Sequence, residues 1–154
     1  MAISRMIPAR RMTVRMIILG AILLAWMSCG GAEQVAKDKI SLSEWETAMH
    51  VKFPPGTEAL GLMKLEERDR LVRLKVRMPA AEWAEFLKNS PVDERDLTDK
   101  RRFFLGPDEE WWDPSKPASL PTAQGKLENG SVVNIGVDHS DSAYATVYLL
   151  WHET

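Results

Sequence analysis

The stretch RLVRLKVRMPAAEWAEFL, residues 70–87, sets the fold because its hydrophobic period changes at Pro79. Over residues 71–78 apolar and basic side chains alternate, which is typical of a β-strand with one buried face. Proline suits the first position of a helix. Apolar side chains then recur at helical spacing, at Trp83, Phe86 and Leu87. We therefore predict a strand followed by a three-turn helix over residues 79–90, with the aromatic stripe of the helix packed on a sheet.

The other side of this predicted strand carries three cations, Arg73, Lys75 and Arg77. Such a stripe could meet lipid head groups or an acidic partner. However, antiparallel sheets commonly leave one face in water, and long cationic side chains are a normal covering for it. We therefore predict that these cations lie on a solvated face.

Further strands are predicted on both sides of this stretch, each bounded by turn-forming residues. They cover residues 59–66, 123–127, 132–137 and 143–151. The last of them is apolar on both sides, so we expect it to be central or covered on both faces. The sequence thus predicts an α+β fold, in which an antiparallel sheet of four to five strands carries one main helix packed on a face.

A shorter helix is predicted over residues 40–52, where two overlapping Ser/Glu capping-box patterns precede Trp45 and Met49. The run FPPGT, residues 53–57, ends it because consecutive prolines are incompatible with a helix. Residues 92–102 are densely charged and lack an apolar stripe, so we expect a surface loop with at most one turn of helix there.

The stretch FFLGPDEEWWDP, residues 103–114, has the most unusual composition of the chain, with four aromatic and four acidic residues. A Ca²⁺ loop of the EF-hand type would need alternating oxygen ligands and a glycine that are not in place. Two interpretations stay open for Trp111 and Trp112: they cap an open end of the core while the acids stay in water, or they are exposed anchors of a protein-recognition loop. In the second case the binding residues are Trp111, Trp112, Glu109, Glu110 and Asp113.

No catalytic residue, metal site or cofactor is predicted. Asp138, His139 and Asp141 are close in sequence, but they fall in a predicted turn where aspartate and serine normally bond the local backbone. A nucleophile with a partner and a second histidine at ligand spacing are both missing from the pattern. A hydrolase acting on cell-wall or sugar polymers would need at least two carboxylates from distant parts of the chain to converge, and its candidate residues are Glu109, Glu110 and Asp113.

The N-terminus has the parts of an export signal, with Arg5, Arg10, Arg11 and Arg15 and no acidic residue before an apolar run at 16–27. That run is shorter than the ~20 residues a transmembrane helix requires. It ends at WMSCGG, which places the single cysteine, Cys29, after a small residue.

This border resembles the lipobox of bacterial lipoproteins, whose cysteine is lipidated after the signal is cut before it. The resemblance covers residues 1–31 and departs from the usual pattern, because Trp26 stands where an aliphatic residue is normal. It implies a signal peptide over 1–28, a lipid anchor at Cys29 and a place in the cell envelope, with the outer membrane as default. The alternative is an ordinary secretory signal with Cys29 incidental. With the lipid anchor at Cys29, residues 29–39 are expected to form a flexible tether and 40–154 a single domain.

Removing the four arginines of the signal from 20 basic residues leaves 16 against 22 acidic residues. This acidic balance argues against nucleic acid, whose binding depends on clustered Lys and Arg. The mature chain also resembles small bacterial lipoproteins and secreted α+β domains in its strand-to-helix passage, and that likeness implies fold and location only. We expect a non-enzymatic binding domain anchored to the membrane, with an envelope protein as partner; the alternatives are an inhibitor that protects against a toxin or enzyme, and the hydrolase.

Overall fold

The computed structural model describes residues 33–35, 39–66 and 70–153. In this part of the chain six strands form one antiparallel sheet: β1 Glu33–Val35, β2 Glu58–Glu66, β3 Arg70–Pro79, β4 Thr122–Lys126, β5 Val132–Asp138 and β6 Tyr144–His152. The predicted α+β class is confirmed. The sheet exceeds the predicted four to five strands because residues 33–35, which we assigned to the tether, pair with β2.

The strands lie in the order β1-β2-β3-β6-β5-β4. The two longest pairings join β3 to β2 and to β6, and Leu74 faces Leu149 at the centre of the latter. β6 lies between β3 and β5, and residues 147–151 are buried on both sides of the strand. This confirms the prediction from its two apolar faces.

Both predicted helices are present and shorter than expected. α1 spans Leu42–Met49 and α2 spans Trp83–Lys88, preceded by one 3-10 turn at Ala80–Glu82. The second helix starts late because Pro79 still pairs with Tyr144 in the sheet. The predicted capping box is absent: the Ser41 hydroxyl lies 3.0 Å from the Ser43 hydroxyl and makes no cap bond.

The first face of the sheet carries the main core under α1 and α2. Alternate side chains of β3 and β6 supply its centre, as the sequence period predicted. The helices add Trp45 and Met49 from α1 and Phe86 and Leu87 from α2, all buried.

The second face is covered by residues 99–121, which we call the covering segment. It begins with a 3-10 helix at Asp99–Leu105, and a shorter one at Glu94–Asp96 precedes it, so the predicted loop over 92–102 is partly helical. The prediction of a solvated basic face is wrong for Arg73, which is 7% exposed beneath this segment, and for Lys75, whose side chain is 13% exposed; the Arg77 side chain is 41% exposed. Arg73 and Lys75 are buried because acidic and aromatic residues of the covering segment fold over them.

The predicted signal peptide over 1–28, Cys29 and most of the predicted tether lie outside the described residues. Within the described ranges, none of the helices has both the length and the apolar character required to span a bilayer.

Candidate recognition surface

Trp112 fixes the covering segment to the sheet. Its side chain is fully buried, and its Nε1 donates a hydrogen bond to the Leu105 carbonyl at 3.1 Å. The ring meets Tyr148 of β6 edge-on at 5.3 Å, and the Arg73 guanidinium lies 5.7 Å from its centroid. The residue therefore belongs to a second core cluster and is not available as an exposed anchor, which was one of the two interpretations from sequence.

Trp111 packs beside it on the bare backbone of β2. A Cβ atom added at Gly61 would come within 2.4 Å of the indole ring, so glycine is required for this approach. A bulge between Ala59 and Gly61 interrupts the pairing of β2 with β3 at the same place. Trp111 is thus half-buried against the sheet, and only part of its ring is open to a partner.

Two ion pairs join the acids of this segment to the basic stripe of β3. Arg73 pairs with Glu109, and Lys75 pairs with Asp113. Lys75 also donates to the Trp111 carbonyl at 3.1 Å. The third cation, Arg77, pairs instead with Glu58 of β2 at 2.7 Å and stacks on Tyr144. Of the four acids that were predicted to stay in water, Glu109 and Asp113 neutralise two cations of the stripe, whereas the other two are exposed.

Asp113 is the centre of the polar contacts. Burial opposes its ionisation, but hydrogen bonds from Lys75, Tyr148 and Lys116 outweigh this and lower its pKa to about 2. Burial, the hydrogen bond that it donates to Asp113 and the charge of that carboxylate raise the pKa of Tyr148 above its ordinary value. At neutral pH Asp113 is ionised and Tyr148 keeps its proton. A general acid or base works best with a pKa near the working pH, and the pKa values of both groups lie far from neutrality. Their contacts therefore suit attachment of the covering segment to the sheet.

The covering segment is also braced internally. The Asp99 carboxylate accepts hydrogen bonds from the Leu120 amide at 2.6 Å and the Ser119 hydroxyl at 2.9 Å. The Arg102 guanidinium donates to the Pro117 carbonyl at 2.9 Å. These bonds tie the two ends of the segment together across 15 to 21 residues, so its outer side is held in one shape.

That outer side presents Phe103, whose side chain is 70% exposed. Phe104 meets it edge-on at 4.4 Å between ring centroids. Glu110 of the same segment is exposed and has no ion-pair partner within the described ranges. Of the two large hydrophobic residues that are exposed in this part of the chain, Phe103 is the more open and Tyr144 is 39% exposed.

The other residues weighed from sequence have local roles. Asp138 accepts bonds from the amide and hydroxyl of Ser140, and Asp141 accepts one from the Ala143 amide. His139 meets the Trp83 ring edge-on at 5.5 Å. In the described ranges no group of three or more His, Cys, Asp or Glu side chains is placed to hold a metal ion. These residues shape the turn between β5 and β6.

The sequence pattern missed the pairing of the basic stripe with the covering segment. A usable signal was present, since an acidic run and a basic strand occur in one domain. This signal does not show which acid pairs with which cation, because the partners are 36 and 38 residues apart in the sequence. Searches of protein-family models, curated proteins and solved structures found no match to this chain.

Proposed function

We propose that this protein is a lipid-anchored protein of the bacterial cell envelope that binds another envelope protein and catalyses no reaction. The observation that carries the binding function is the exposed Phe103 on a braced segment. Aromatic side chains are frequent binding hot spots, and a surface that is already ordered loses little entropy on association. We therefore place the centre of the proposed binding surface at Phe103 instead of Trp111 and Trp112, and Glu110 is a polar residue nearby in the sequence.

The strand β1 supports a close membrane position. Three residues separate Cys29 from Glu33, and four extended peptide units span at most about 14 Å. Glu33 pairs with Lys64 toward the β2–β3 end of the sheet. A lipid at Cys29 would therefore hold this end of the domain beside the bilayer, rather than lifting it on a long tether.

Site-specific photocrosslinking in intact cells tests the binding surface. A photoreactive phenylalanine analogue at position 103 of the full-length protein should give one discrete adduct with an envelope protein. Lys126, which is exposed on β4, is the matched control position and should give none. An adduct that also forms at 126, or no adduct at 103, would remove the support for this surface.

Metabolic labelling with a clickable fatty acid tests the anchor separately. The parent protein should incorporate the label and remain with membranes, whereas Cys29→Ser should do neither. Ser28→Ala keeps a small residue before the cysteine and should behave as the parent. Equal labelling of parent and Cys29→Ser would favour the ordinary secretory signal.

A further inference from the structure

The 3-10 helix at Asp99–Leu105 arranges its side chains in rows along the helix axis. Such a helix has three residues per turn, so side chains three positions apart lie on the same side. One row is occupied by contacts within the protein: Asp99 and Arg102 bind the far end of the covering segment, and Leu105 has no exposed surface. The other two rows determine what this helix offers to a partner.

The outward row consists of Lys100 and Phe103, and both side chains are exposed. The row beside it consists of Arg101 and Phe104, which are partly exposed. Each phenylalanine therefore follows a cation by one helical turn, and the two rings contact each other edge-on. We call these four residues the basic-aromatic strip.

The two cations of the strip are not neutralised by any carboxylate of the described ranges. Lys100 forms no ion pair there, and the Arg101 guanidinium donates to the Asp96 carbonyl at 3.2 Å. Arg73 and Lys75, in contrast, each have a carboxylate partner. The whole chain has a formal net charge of −2 at pH 7. The positive charge of the strip is thus a local feature beside the most exposed aromatic ring of the described chain.

We propose that the protein partner meets this strip with an acidic surface. An apolar recess of the partner takes the Phe103 ring, and carboxylates at the rim of that recess lie opposite Lys100 and Arg101. Binding interfaces combine aromatic anchors at the centre with a polar rim, and their charges are complementary across the contact. This inference rests on the proposed binding function of Phe103 and adds the chemistry of the partner to it.

The charges of the remaining covering segment favour a protein over an anionic bilayer as the occupant of the strip. Asp108 and Glu110 are exposed on the same segment. A bilayer with anionic lipids is negative over its whole surface, so it would repel these carboxylates while it attracts the strip. A protein surface can place acidic groups opposite the strip and other groups opposite Asp108 and Glu110.

Photocrosslinking from position 103 in isolated cell envelopes, with charge variants of the full-length protein, tests the acidic partner. Lys100→Glu reverses the charge beside the photoreactive residue and should reduce the yield of the protein adduct about 3- to 10-fold. Lys100→Arg keeps the charge and should keep the yield. Lys126→Glu is the matched control, because it reverses an exposed lysine of β4 outside the strip, and it should also leave the yield unchanged.

Ionic strength separates charge from packing and needs no variant. Raising the salt concentration from about 0.1 M to about 1 M shortens the screening length from about 10 Å to about 3 Å. The yield should therefore fall in the parent and change little in Lys100→Glu.

The possible failures of this inference and of the binding function are distinguishable. A protein adduct whose yield is unchanged in Lys100→Glu and at high salt would overturn the acidic partner and leave the binding function of Phe103 in place. An adduct with phospholipid instead of protein would overturn the choice of a protein as occupant. The absence of any adduct at 103 would overturn both the inference and the function on which it rests.

Discussion

At the scale of single residues, the contacts of Asp113 show how the covering segment is attached. Its Oδ1 accepts from Lys75 and from the Tyr148 hydroxyl at 2.8 Å, and its Oδ2 lies 3.2 Å from the Lys116 ammonium. The side chain is 18% exposed, so water screens these contacts less than it screens ordinary surface pairs. Asp113 therefore stabilises the fold through electrostatic contacts as well as through packing.

The low pKa of Asp113 makes stability depend on pH. Because its pKa falls from 3.8 to about 2 on folding, the stabilisation is complete above about pH 4 and is lost as the pH falls through 2. We expect Asp113→Asn to lower the free energy of unfolding by about 1–2 kcal/mol at pH 7 and by much less at pH 2. Urea denaturation at both pH values measures this, with Glu110→Gln as an unpaired control. Equal losses at both pH values would assign Asp113 a steric role.

Gly61 is a second residue whose identity is imposed by a distant neighbour. Its added Cβ would overlap the Trp111 ring, and we expect Gly61→Ala to destabilise the protein by about 1–3 kcal/mol. The double variant with Trp111→Leu should recover part of this loss, because the smaller side chain leaves room for the methyl group. Strictly additive losses in chemical denaturation would show that the two positions do not interact.

At the scale of elements, the covering segment divides into an inner and an outer side. The inner side contributes Leu105, Trp112 and Leu120, each with no exposed surface, to the cluster with Tyr148 and Leu150. The outer side carries Phe103. The aromatic residues of the covering segment range from fully buried to mostly exposed. The loss of stability on substitution therefore depends on the side of the segment that a residue occupies, and not on its position in the sequence.

This division predicts opposite outcomes for two aromatic truncations. Trp112→Ala should cost about 3–5 kcal/mol, since it removes a buried ring and its bond to the Leu105 carbonyl. Phe103→Ala should change the free energy of unfolding by no more than about 0.5 kcal/mol. Thermal and urea unfolding compare the two. A large loss for Phe103→Ala would show that this ring serves folding and would weaken its assignment to binding.

At the scale of the whole molecule, the domain is a sheet covered on both faces. The helices cover one side and the covering segment the other, so the central strands β3 and β6 are shielded on both. The edge strand β1 has only three residues and pairs with β2 alone. Stability should therefore decrease from the middle of the sheet toward β1.

Amide hydrogen exchange should show this gradient. We expect the amides of Leu74 and Leu149 to exchange only through global unfolding, because they lie at the centre of the longest pairings. The amides of β1 should exchange through local opening at a much lower free energy. Mass spectrometry or NMR on the full chain measures both, and equal protection of β1 and β6 would contradict this order.

Much of the fold could be predicted because its signals are local. Alternation in residues 71–78 identified β3 and its buried side, and the two apolar faces of 143–151 identified a central strand. The covering segment could not be predicted, because residues 99–121 have no regular hydrophobic period and are held by contacts with strands that are distant in the sequence. A three-residue strand such as β1 is equally invisible, since its pairing depends on the exposed edge of β2.

The sequence by itself determined the α+β class, the positions of five strands and two helices, and the apolar stripes of β3, α1 and α2, since these follow from backbone period. Only the tertiary structure decided what lies on the other face of β3. Alternation places Arg73 and Lys75 on one side, but it does not say whether water or a protein segment meets them. Glu109 and Asp113 reach them because chain reversals bring residues 36 and 38 positions apart together, and no local pattern encodes that approach.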